Sequence, residues 1–306
     1  MVAPDVSVCI PAYRAEPHLR SSIESVLAQT FADWELVIVD NASSDRTGEI
    51  ARSYGDPRIV VHTNPSTVPL ADNWNLAVTL CRGRLVKLLP ADDEIRPECL
   101  ELQVKAIDGH PGTALVACRR DLVDTAGRVL VPERGLRRLA GRHGPDEVIR
   151  EIFRSGINPL GEPGAWLFRR ADFDRVGGFA SDQVGALDLE LATRLLRCGD
   201  LYGLTESLAL FRVRGDSWTA RSVRSQLSDH RHVLRQVARD RRWPVSWRLR
   251  RWGLLAARVA AGKRSLLYRA ATGRLPGGRA LLGAWSRWKA PVEPAPADGA
   301  WSPEPV

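Results

Sequence analysis

Two adjacent aspartates, Asp92 and Asp93, are the residues of this 306-residue chain whose type and spacing most clearly suggest chemistry. They follow an apolar run, residues 84–89, that is typical of a buried strand, and they precede Pro97, which we expect at the first position of a helix. Neighbouring carboxylates repel each other and so favour a bound cation, and Mg²⁺ or Mn²⁺ prefers such oxygen ligands. The alternative is a solvated turn in which one aspartate caps the helix.

The elements that must position this pair alternate between strand and helix from residue 6 to about 110. Runs of β-branched or apolar residues predict strands over residues 6–10, 35–40, 58–62 and 84–89, with helical spacing between them. This alternation with short connections predicts a doubly wound α/β sheet flanked by helices, with ligands at the carboxyl ends of its strands.

The first strand ends in Pro11, Ala12 and Tyr13, without a glycine-rich phosphate motif. A nucleotide would therefore have to be held by side chains and a metal. Later in the chain, residues 114–118, 165–168 and 208–213 are typical of strands, and residues 145–154, 171–176 and 188–198 of helices. Residues 119–144 are polar and rich in Arg and Gly, which predicts a hairpin and loop.

Cysteine and histidine usage argues against a disulfide framework or a zinc site. The five cysteines are widely spaced without a CxxC pair, and the six histidines show no metal-ligand spacing. We see no signal peptide and no apolar run near the ~18 residues of a membrane span. These features together predict a cytoplasmic protein with reduced thiols.

Positive charge is concentrated toward the C-terminus. Residues 1–219 contain 26 Lys and Arg against 31 Asp and Glu, whereas residues 220–290 contain 18 against 2. Arginines alternate there with tryptophans, and residues 248–271 have the spacing of a helix with one apolar side. This pattern fits a helix lying on an anionic membrane surface. Packing of the tryptophans on the body of the protein or on a partner remains open, and nucleic acid is the least favoured partner.

Six short motifs in order carry a family resemblance. They are Pro11-Ala12-Tyr13, Gln29-Thr30-Phe31, residues 34–41, Ala91-Asp92-Asp93, Gly177-Gly178-Phe179 and Asp188-x-Glu190-x-x-x-Arg194. Together they resemble the family-2 glycosyltransferases of GT-A fold over roughly residues 5–218. The resemblance implies a catalytic domain at residues 1–219. The concentration of positive charge predicts a basic helical extension at 220–290, and the Pro- and Ala-rich composition predicts a disordered tail at 291–306. The resemblance also implies an inverting transfer of sugar from a nucleotide-diphosphate donor, most simply a UDP-sugar, to a glycan or a lipid-linked cell-envelope acceptor.

The resemblance assigns the nucleotide to one group of residues and the metal to another. Tyr13 corresponds to the aromatic residue that stacks on the base, and Asp40 to the residue that pairs with the base edge. The metal, Mn²⁺ or Mg²⁺, would be bound by Asp93, with Asp92 nearer the ribose. The other expected nucleotide contacts are Pro11, Ala12, Asn41, Asn75 and Arg214. A strand-terminal cap is the alternative for Asp40, and a turn with a core-facing ring is the alternative for Tyr13.

Asp188 corresponds to the general base of the family. Its expected position at the start of a helix favours an ionised carboxylate, although a plain helix cap is the alternative. The preceding residue is Leu187 where relatives have Glu, so half of that motif is missing. Residues expected on the sugar and acceptor side are Glu162, Gly177, Gly178 and Glu190.

Arg214 stands where relatives often have a histidine that contacts metal or diphosphate. A guanidinium does not ligate metals, but it binds a diphosphate through paired hydrogen bonds. We therefore expect Arg214 to contact the leaving diphosphate directly. Two alternatives to a transferase remain: a catalytically silent nucleotide-sugar scaffold, suggested by Leu187 and Arg214, and a sugar nucleotidyltransferase, which would want a glycine-rich loop after the first strand.

Overall fold

The computed structural model describes residues 3–182, 184–215, 223–276 and 278. The predicted disordered tail at 291–306 and the tryptophans at 285 and 288 lie outside these residues.

A ten-stranded mixed sheet forms the centre of the protein. Its strands are β1 (Val6–Ala12), β2 (Trp34–Asp40), β3 (Ile59–Thr63), β4 (Leu85–Leu88), β5 (Glu94–Ile95), β6 (Thr113–Val123), β7 (Val129–Arg134), β8 (Gly141–His143), β9 (Trp166–Arg169) and β10 (Asp200–Arg212). The main path runs β3-β2-β1-β4-β9-β6-β10-β5, with β7 paired to β6 and β8 paired to β10.

Helices flank the sheet, as the doubly wound α/β prediction requires. They are α1 (Leu19–Leu27), α2 (Thr47–Arg52), α3 (Leu70–Thr79), α4 (Cys99–Gly109), α5 (Pro145–Ser155), α6 (Arg170–Val176), α7 (Leu187–Leu195), α8 (Val223–Arg239) and α9 (Trp247–Ala271). Short 3₁₀ turns lie at Pro163–Ala165 and Val184–Ala186. The predicted fold class is confirmed.

The centre of the sheet explains why these segments become strands. Every residue of β1 and β2 is buried, which suits continuous apolar runs covered on both faces. β1 lies parallel to β2 on one side and to β4 on the other. Because β3 and β2 lie on one side of β1 while β4 lies on the other, the chain reverses its winding direction between β1 and β4. Parallel α/β sheets bind their ligands at such a point.

Two strands are longer than their sequence predicts. β6 begins at Thr113 and continues to Val123, and β10 begins at Asp200, eight residues before the predicted start at 208. The two pair in parallel through most of their length, so tertiary pairing outweighs the polar composition of residues 119–121 and 205–207. The helix after the aspartate pair begins at Cys99 and not at Pro97, since Glu94 and Ile95 first pair with β10.

The C-terminal helices α8 and α9 pack on the rest of the chain. Val233, Leu234, Val237 and Trp243 join the main hydrophobic core. A Cβ placed on Gly253 of α9 would come within 2.6 Å of the Phe153 ring of α5, so these helices touch closely. In the described ranges, no helix has both the length and the apolarity needed to cross a bilayer.

Candidate active site

Tyr13 and Asp40 lie side by side at the carboxyl ends of β1 and β2. Ala12 is in register with Asp40, and the Asn41 amide donates to the Ala12 carbonyl at 2.9 Å. The Tyr13 side chain is 47% exposed, whereas Asp40 is buried and accepts a hydrogen bond from the Ser43 amide at 3.1 Å. Asp40 thus closes a turn at the end of β2, as the strand-cap alternative predicts. The Tyr13 ring faces solvent at the end of the neighbouring strand β1.

The turns after these two strands carry backbone strain. Arg14 has φ of 49° and Ala42 has φ of 51°, a region that residues with a Cβ rarely adopt. The two turns are joined, because the Arg14 amide donates to Ser43 Oγ at 3.0 Å. Strain of this kind persists where the surroundings fix it, and it concentrates at ligand-binding edges.

The Asp92-Asp93 turn follows β4 and is held in place from two sides. Ser22 of α1 donates through Oγ to the carbonyls of Ala91 and Asp93, at 3.0 and 2.7 Å. On the other side the Arg212 amide donates to Asp93 Oδ1 at 2.9 Å. The aspartate pair therefore sits at the edge that also carries Tyr13 and Asp40, as the strand order predicts.

Arg212 at the end of β10 braces the backbone of this turn. Its guanidinium donates to the Asp92 carbonyl at 3.0 Å and to the Asp124 carbonyl at 3.0 Å, and it pairs with the Glu94 carboxylate. The side chain is only 4% exposed. Arg212 is thus a positioning residue that fixes where the aspartates point.

Truncating this residue should cost stability. We expect Arg212→Ala to lower the free energy of unfolding by about 3 kcal/mol, because two partly buried carbonyls and the Glu94 carboxylate lose their donor. Urea unfolding measures this loss. The control is Arg128→Ala: Arg128 also pairs with a carboxylate but its side chain is 71% exposed, so its loss should cost under about 1 kcal/mol. Equal losses in the two variants would contradict a bracing role for Arg212.

Burial and neighbouring charge both shift the pKa of Asp93. Burial raises the pKa of its carboxyl well above the usual range, and the negative charge of Asp92 raises it further, while the Arg212 amide opposes the shift. The charge of Glu162 adds to the increase. A carboxylate surrounded in this way is stabilised by any cation that comes to it.

Glu162 reaches the aspartates from a loop, residues 158–164, that joins α5 to the first 3₁₀ turn. Arg120 of β6 holds its carboxylate, with one contact of 3.1 Å from a terminal guanidinium nitrogen. The same loop lies against the aspartate turn: a Cβ placed on Gly164 would lie 3.7 Å from Asp93 Oδ2. Glu162 therefore belongs to the same acidic cluster as Asp92 and Asp93.

Asp188 lies in the first turn of α7 and is half-buried. Asn158, from the loop that carries Glu162, donates to Asp188 Oδ2 at 3.0 Å and to the Gly161 carbonyl at 2.9 Å. Burial raises the pKa of Asp188, the Asn158 hydrogen bond opposes this, and the charge of Glu162 adds to the increase. The charge of Glu162 thus acts on both Asp93 and Asp188.

Arg214 lies beside the aspartate pair, as its place in the sequence predicts. Its Nε is 3.5 Å from Asp92 Oδ2, and its side chain is 16% exposed. The end of α9 closes over the same point, because a Cβ on Gly215 would lie 3.3 Å from Thr272 Cγ2. Farther along α9, Arg264 is close enough to lower the pKa of Asp188.

Two predicted nucleotide contacts have their side chains engaged by protein. Asn41 exchanges hydrogen bonds with Val68 and accepts from Asn64. Asn75 accepts from the Phe179 amide at 2.7 Å and donates to the Phe179 carbonyl at 2.9 Å. The role of Asn41 and Asn75 in nucleotide binding stays a prediction. Their hydrogen bonds hold the backbone of neighbouring loops at Val68 and Phe179.

The Gly177-Gly178 turn is clamped from both sides. Gly177 ends α6 in the left-handed conformation, with φ of 84°, and Gly178 follows with φ of 68°. Arg194 donates to the carbonyls of Val176 and Gly178 and pairs with Glu190, as the i, i+4 spacing predicts. Contact of Glu162, Gly177, Gly178 and Glu190 with sugar or acceptor stays a prediction.

Sequence reasoning missed Asn158, Arg120 and the bracing role of Arg212. No local pattern marks them, since each acts on a residue between 30 and 120 positions away. A separate surface depression of about 750 Å³ contains none of the candidate residues; it is lined by Asp5, Asp33, Arg82, Arg84 and Asp174 among others.

Comparison with known families identifies the family of the chain. The sequence profile of glycosyl transferase family 2 matches residues 7–177, more than half of the chain. The chain belongs to glycosyl transferase family 2. The glycosyl transferase match covers β1 to α6 and so includes Tyr13, Asp40, Asp92 and Asp93.

Relatives of this glycosyltransferase differ in how much of them it covers. It is 33% identical over 199 residues to uncharacterized protein y4gI of Sinorhizobium fredii, which is 64% of this chain and a fifth (20%) of that protein. It is 28% identical to the putative glycosyltransferase EpsE of Bacillus subtilis, over 79% of this chain and 85% of EpsE. It is 38% identical over 99 residues, 32% of this chain and 39% of the relative, to the Escherichia coli UDP-Glc:alpha-D-GlcNAc-diphosphoundecaprenol beta-1,3-glucosyltransferase WfgD.

Solved structures show the same fold. S. aureus TarS 1-349 in complex with UDP-GlcNAc superposes with a TM-score of 0.62 at 17% identity, over 89% of this chain and 74% of that one. The mannosyltransferase PcManGT of Pyrobaculum calidifontis, in complex with GDP-Man and Mn2+, gives a TM-score of 0.62 at 19% identity, over 94% and 81% of the two chains. The predicted GT-A architecture is confirmed.

Proposed function

We propose that this glycosyltransferase is metal-dependent and inverting, and that it moves a sugar from a UDP-linked donor to a hydroxyl of a glycan or lipid-linked cell-envelope acceptor. The observation that carries the proposal is the placement of Asp92-Asp93 at the reversal point of the sheet, together with the hydrogen bond that holds Asp188 to Asn158 of the loop that carries Glu162. The UDP-GlcNAc bound to TarS and the diphosphoundecaprenol-linked acceptor named for WfgD support the donor and acceptor classes.

The donor nucleotide lies, in this proposal, over the ends of β1 and β2. Tyr13 offers an exposed ring on which a base can stack, and the backbone of Pro11 and Ala12 forms the floor beneath it. Asp40 stands one strand farther along the same edge, in register with Ala12. Asn41 and Asn75 fix the loops that follow.

A divalent ion, Mn²⁺ or Mg²⁺, fits the acidic cluster. Asp93 and Asp92 would hold it, since they are adjacent and the negative charges of Asp92 and Glu162 both disfavour the charged form of Asp93. In the described part of the chain, no three His, Cys, Asp or Glu side chains converge as a metal cluster. Donor phosphates and water would then complete the coordination, and PcManGT was solved with Mn2+. When bound, such an ion neutralises charge on the leaving diphosphate.

Asp188 acts as the general base. Asn158 holds one of its carboxylate oxygens, which fixes the orientation of the carboxyl. Burial raises its pKa, and a base with a raised pKa accepts a proton from a hydroxyl more readily. The acceptor oxygen attacks the anomeric carbon as its proton passes to Asp188, and the bond to the diphosphate breaks on the opposite face. The configuration at that carbon inverts.

The raised pKa of Asp188 predicts an acid limit on turnover. The base works only when ionised, so kcat/KM should fall with decreasing pH at a higher pH than an ordinary aspartate would set. Removing the Asn158 amide takes away a hydrogen bond to the charged form. Asn158→Ala should therefore move the acid limb of the pH–rate profile to still higher pH, and an unmoved limb would argue against Asp188 as the titrating base.

Arg214 assists the departing diphosphate. It lies beside Asp92 with its side chain largely buried, where a guanidinium can pair with phosphate oxygens. We expect Arg214→Ala to weaken binding of the donor and to lower kcat, by about 10-fold or more in kcat/KM, since a charge-assisted hydrogen bond is worth about 1.5–3 kcal/mol. Arg128→Ala is the matched control. Unchanged donor affinity and turnover in Arg214→Ala would remove this role.

Transfer itself tests the proposal. The purified chain is incubated with Mn²⁺, a set of UDP-sugars and polyprenyl-diphosphate-linked sugars, and the anomeric configuration of any product is read by NMR. We expect one donor to give a product inverted at the anomeric carbon. A product with retained configuration would overturn the mechanism, and donor-dependent stabilisation without any product would favour the silent scaffold.

We also propose the domain boundaries, with a catalytic domain at 1–219 and a basic extension at 220–290. In this proposal the basic extension approaches an anionic membrane surface. The described helices of that extension share the main core of the protein. Packing on the body and contact with a membrane are therefore compatible, because they use different sides of the same helices.

A further inference from the structure

One side of α9 exposes large apolar side chains. Trp252, Leu255, Val259 and Leu266 are 54%, 52%, 53% and 37% exposed. Their spacing of i, i+3, i+7 and i+14 places them along one face of the helix, which we call the outer face. Trp247, one turn nearer the start, is 63% exposed. Isolated exposed apolar residues are ordinary, but a row of this length on a 25-residue helix marks a contact surface.

Cations surround the outer face. The sequence of α9 contains seven basic residues and no acidic one: Arg248, Arg250, Arg251, Arg258, Lys263, Arg264 and Arg269. Six of them are exposed, and Arg264 points inward to Gln226. Arg231 of α8 lies close to the same cations. Burial lowers its pKa, and repulsion from Arg258 and Arg235 lowers it further. An apolar row flanked by cations is complementary to the surface of an anionic bilayer, in which charged headgroups cover an apolar layer of acyl chains.

The tryptophans of α9 are suited to such a boundary. The Trp252 indole donates to the Arg154 carbonyl at 3.1 Å, so its polar end is anchored on α5 while more than half of the side chain stays exposed. Trp247 lies near the guanidinium groups of Arg248 and Arg251. Indole rings next to cations are the side chains that concentrate at lipid headgroup level.

The inner side of the same helix faces the candidate general base and the segment that carries Arg214. Arg264 acts on the charge of Asp188, and Thr272 packs on Gly215 next to Arg214. The outer face is therefore separated from the candidate general base by one helix, about 10 Å thick. A molecule anchored in the surface that α9 contacts would have its polar end within reach of Asp188.

We propose that the outer face of α9 lies in the headgroup layer of an anionic phospholipid bilayer and so presents a lipid-linked acceptor to Asp188. The second half of this proposal rests on the proposed transferase function, whereas membrane contact by the outer face does not. The apolar row enters the boundary of the acyl chains, and the flanking cations contact lipid phosphates. The sugar of the acceptor then stands above the headgroups, on the side of the helix that carries the site.

Co-sedimentation with vesicles tests the contact. Wild-type chain is mixed with vesicles of phosphatidylcholine containing about 30% phosphatidylglycerol, or with pure phosphatidylcholine. We expect binding to the anionic vesicles, at least 10-fold weaker binding to the neutral ones, and loss of binding with rising salt. The triple variant Trp252→Ser, Leu255→Ser, Val259→Ser should bind at least 10-fold more weakly than wild type. The matched control is Val60→Ser with Val129→Ser, at positions 47% and 51% exposed elsewhere on the protein, which should bind as wild type does.

Three results would overturn the contact. They are absence of wild-type binding to anionic vesicles, equal binding by the triple variant, and a wild-type dimer in sedimentation velocity that the triple variant abolishes. The last result would mean that a second copy of the chain covers the outer face. Binding to a DNA duplex that depends on Trp252 and displaces the vesicles would equally assign the face to nucleic acid.

Activity separates this inference from the proposed function. The triple variant should keep wild-type turnover on a water-soluble acceptor and lose at least 10-fold on the same sugar linked to a polyprenyl diphosphate in vesicles. Equal losses on both acceptors would contradict acceptor presentation by α9. No turnover by wild type on either acceptor would instead count against the transferase function and leave the vesicle measurement to decide on the membrane contact alone.

Discussion

Replacing Asp188 with asparagine lowers kcat by about 10²–10⁴-fold if Asp188 is the general base. The amide keeps the shape of the side chain and still offers an oxygen to the Asn158 donor, but it does not take up a proton. Because the proposed donor site lies at the ends of β1, β2 and β4, the affinity for the nucleotide should stay within about twofold of wild type. Single-turnover rates and donor titration measure the two effects separately.

The fold of this variant should survive. Burial disfavours the charged form of Asp188, so a neutral amide at the same place removes no stabilising charge. Asp174→Asn is the control, at an aspartate that is 62% exposed on α6, and it should leave both rate and stability unchanged. A rate for Asp188→Asn within threefold of wild type, in a folded protein, would remove Asp188 from the mechanism.

We expect Mn²⁺ and UDP together to raise the melting temperature of the wild-type chain, and Asp93→Asn to abolish the part of this increase that depends on Mn²⁺. A ligand at 100 times its dissociation constant stabilises by about 2.7 kcal/mol, which for a chain of this size is about 5 °C. The same substitution should lower kcat/KM by about 10²–10³-fold, because an ion at the leaving diphosphate contributes several kcal/mol.

A carboxylate on another helix serves as the control for the loss of negative charge in Asp93→Asn. Asp146 on α5 is 48% exposed, and Asp146→Asn should retain the full shift in melting temperature. Chelation of the metal from wild type should reproduce the Asp93→Asn result. A shift with UDP that is identical with and without Mn²⁺, in wild type, would show that Asp92 and Asp93 do not hold a metal in the nucleotide complex.

The sheet and the ends of its strands were predictable from sequence because their causes are local. The apolar runs of β1, β2 and β4 are short and separated by helical spacing, and the residues that follow parallel strands must gather at one edge. The sequence therefore predicts Tyr13, Asp40 and Asp92 at the ends of strands, where the structure has them, and their roles in binding stay predictions. The role of Asp188 is predicted by the family resemblance alone.

The supports of the site were not predictable, since they join segments far apart in the chain. Asn158 and Asp188 are 30 residues apart, and Arg212 and Asp92 are 120 apart. Nothing in the turn-rich sequence of residues 158–164 predicts that the charge of its glutamate acts on both Asp93 and Asp188. The length of β10 was likewise set by its pairing with β6 and β8 and not by its own polar residues.

Release of nucleoside diphosphate from sugar nucleotides is the most direct test of the central claim, which is that the acidic cluster and Asp188 together transfer a sugar. The chain is screened against UDP-, GDP- and dTDP-sugars with Mn²⁺, with and without acceptor. We predict slow release of UDP from one UDP-sugar, faster with acceptor and lost in Asp93→Asn. Release that is absent for every donor, or that persists unchanged in Asp93→Asn, would contradict it.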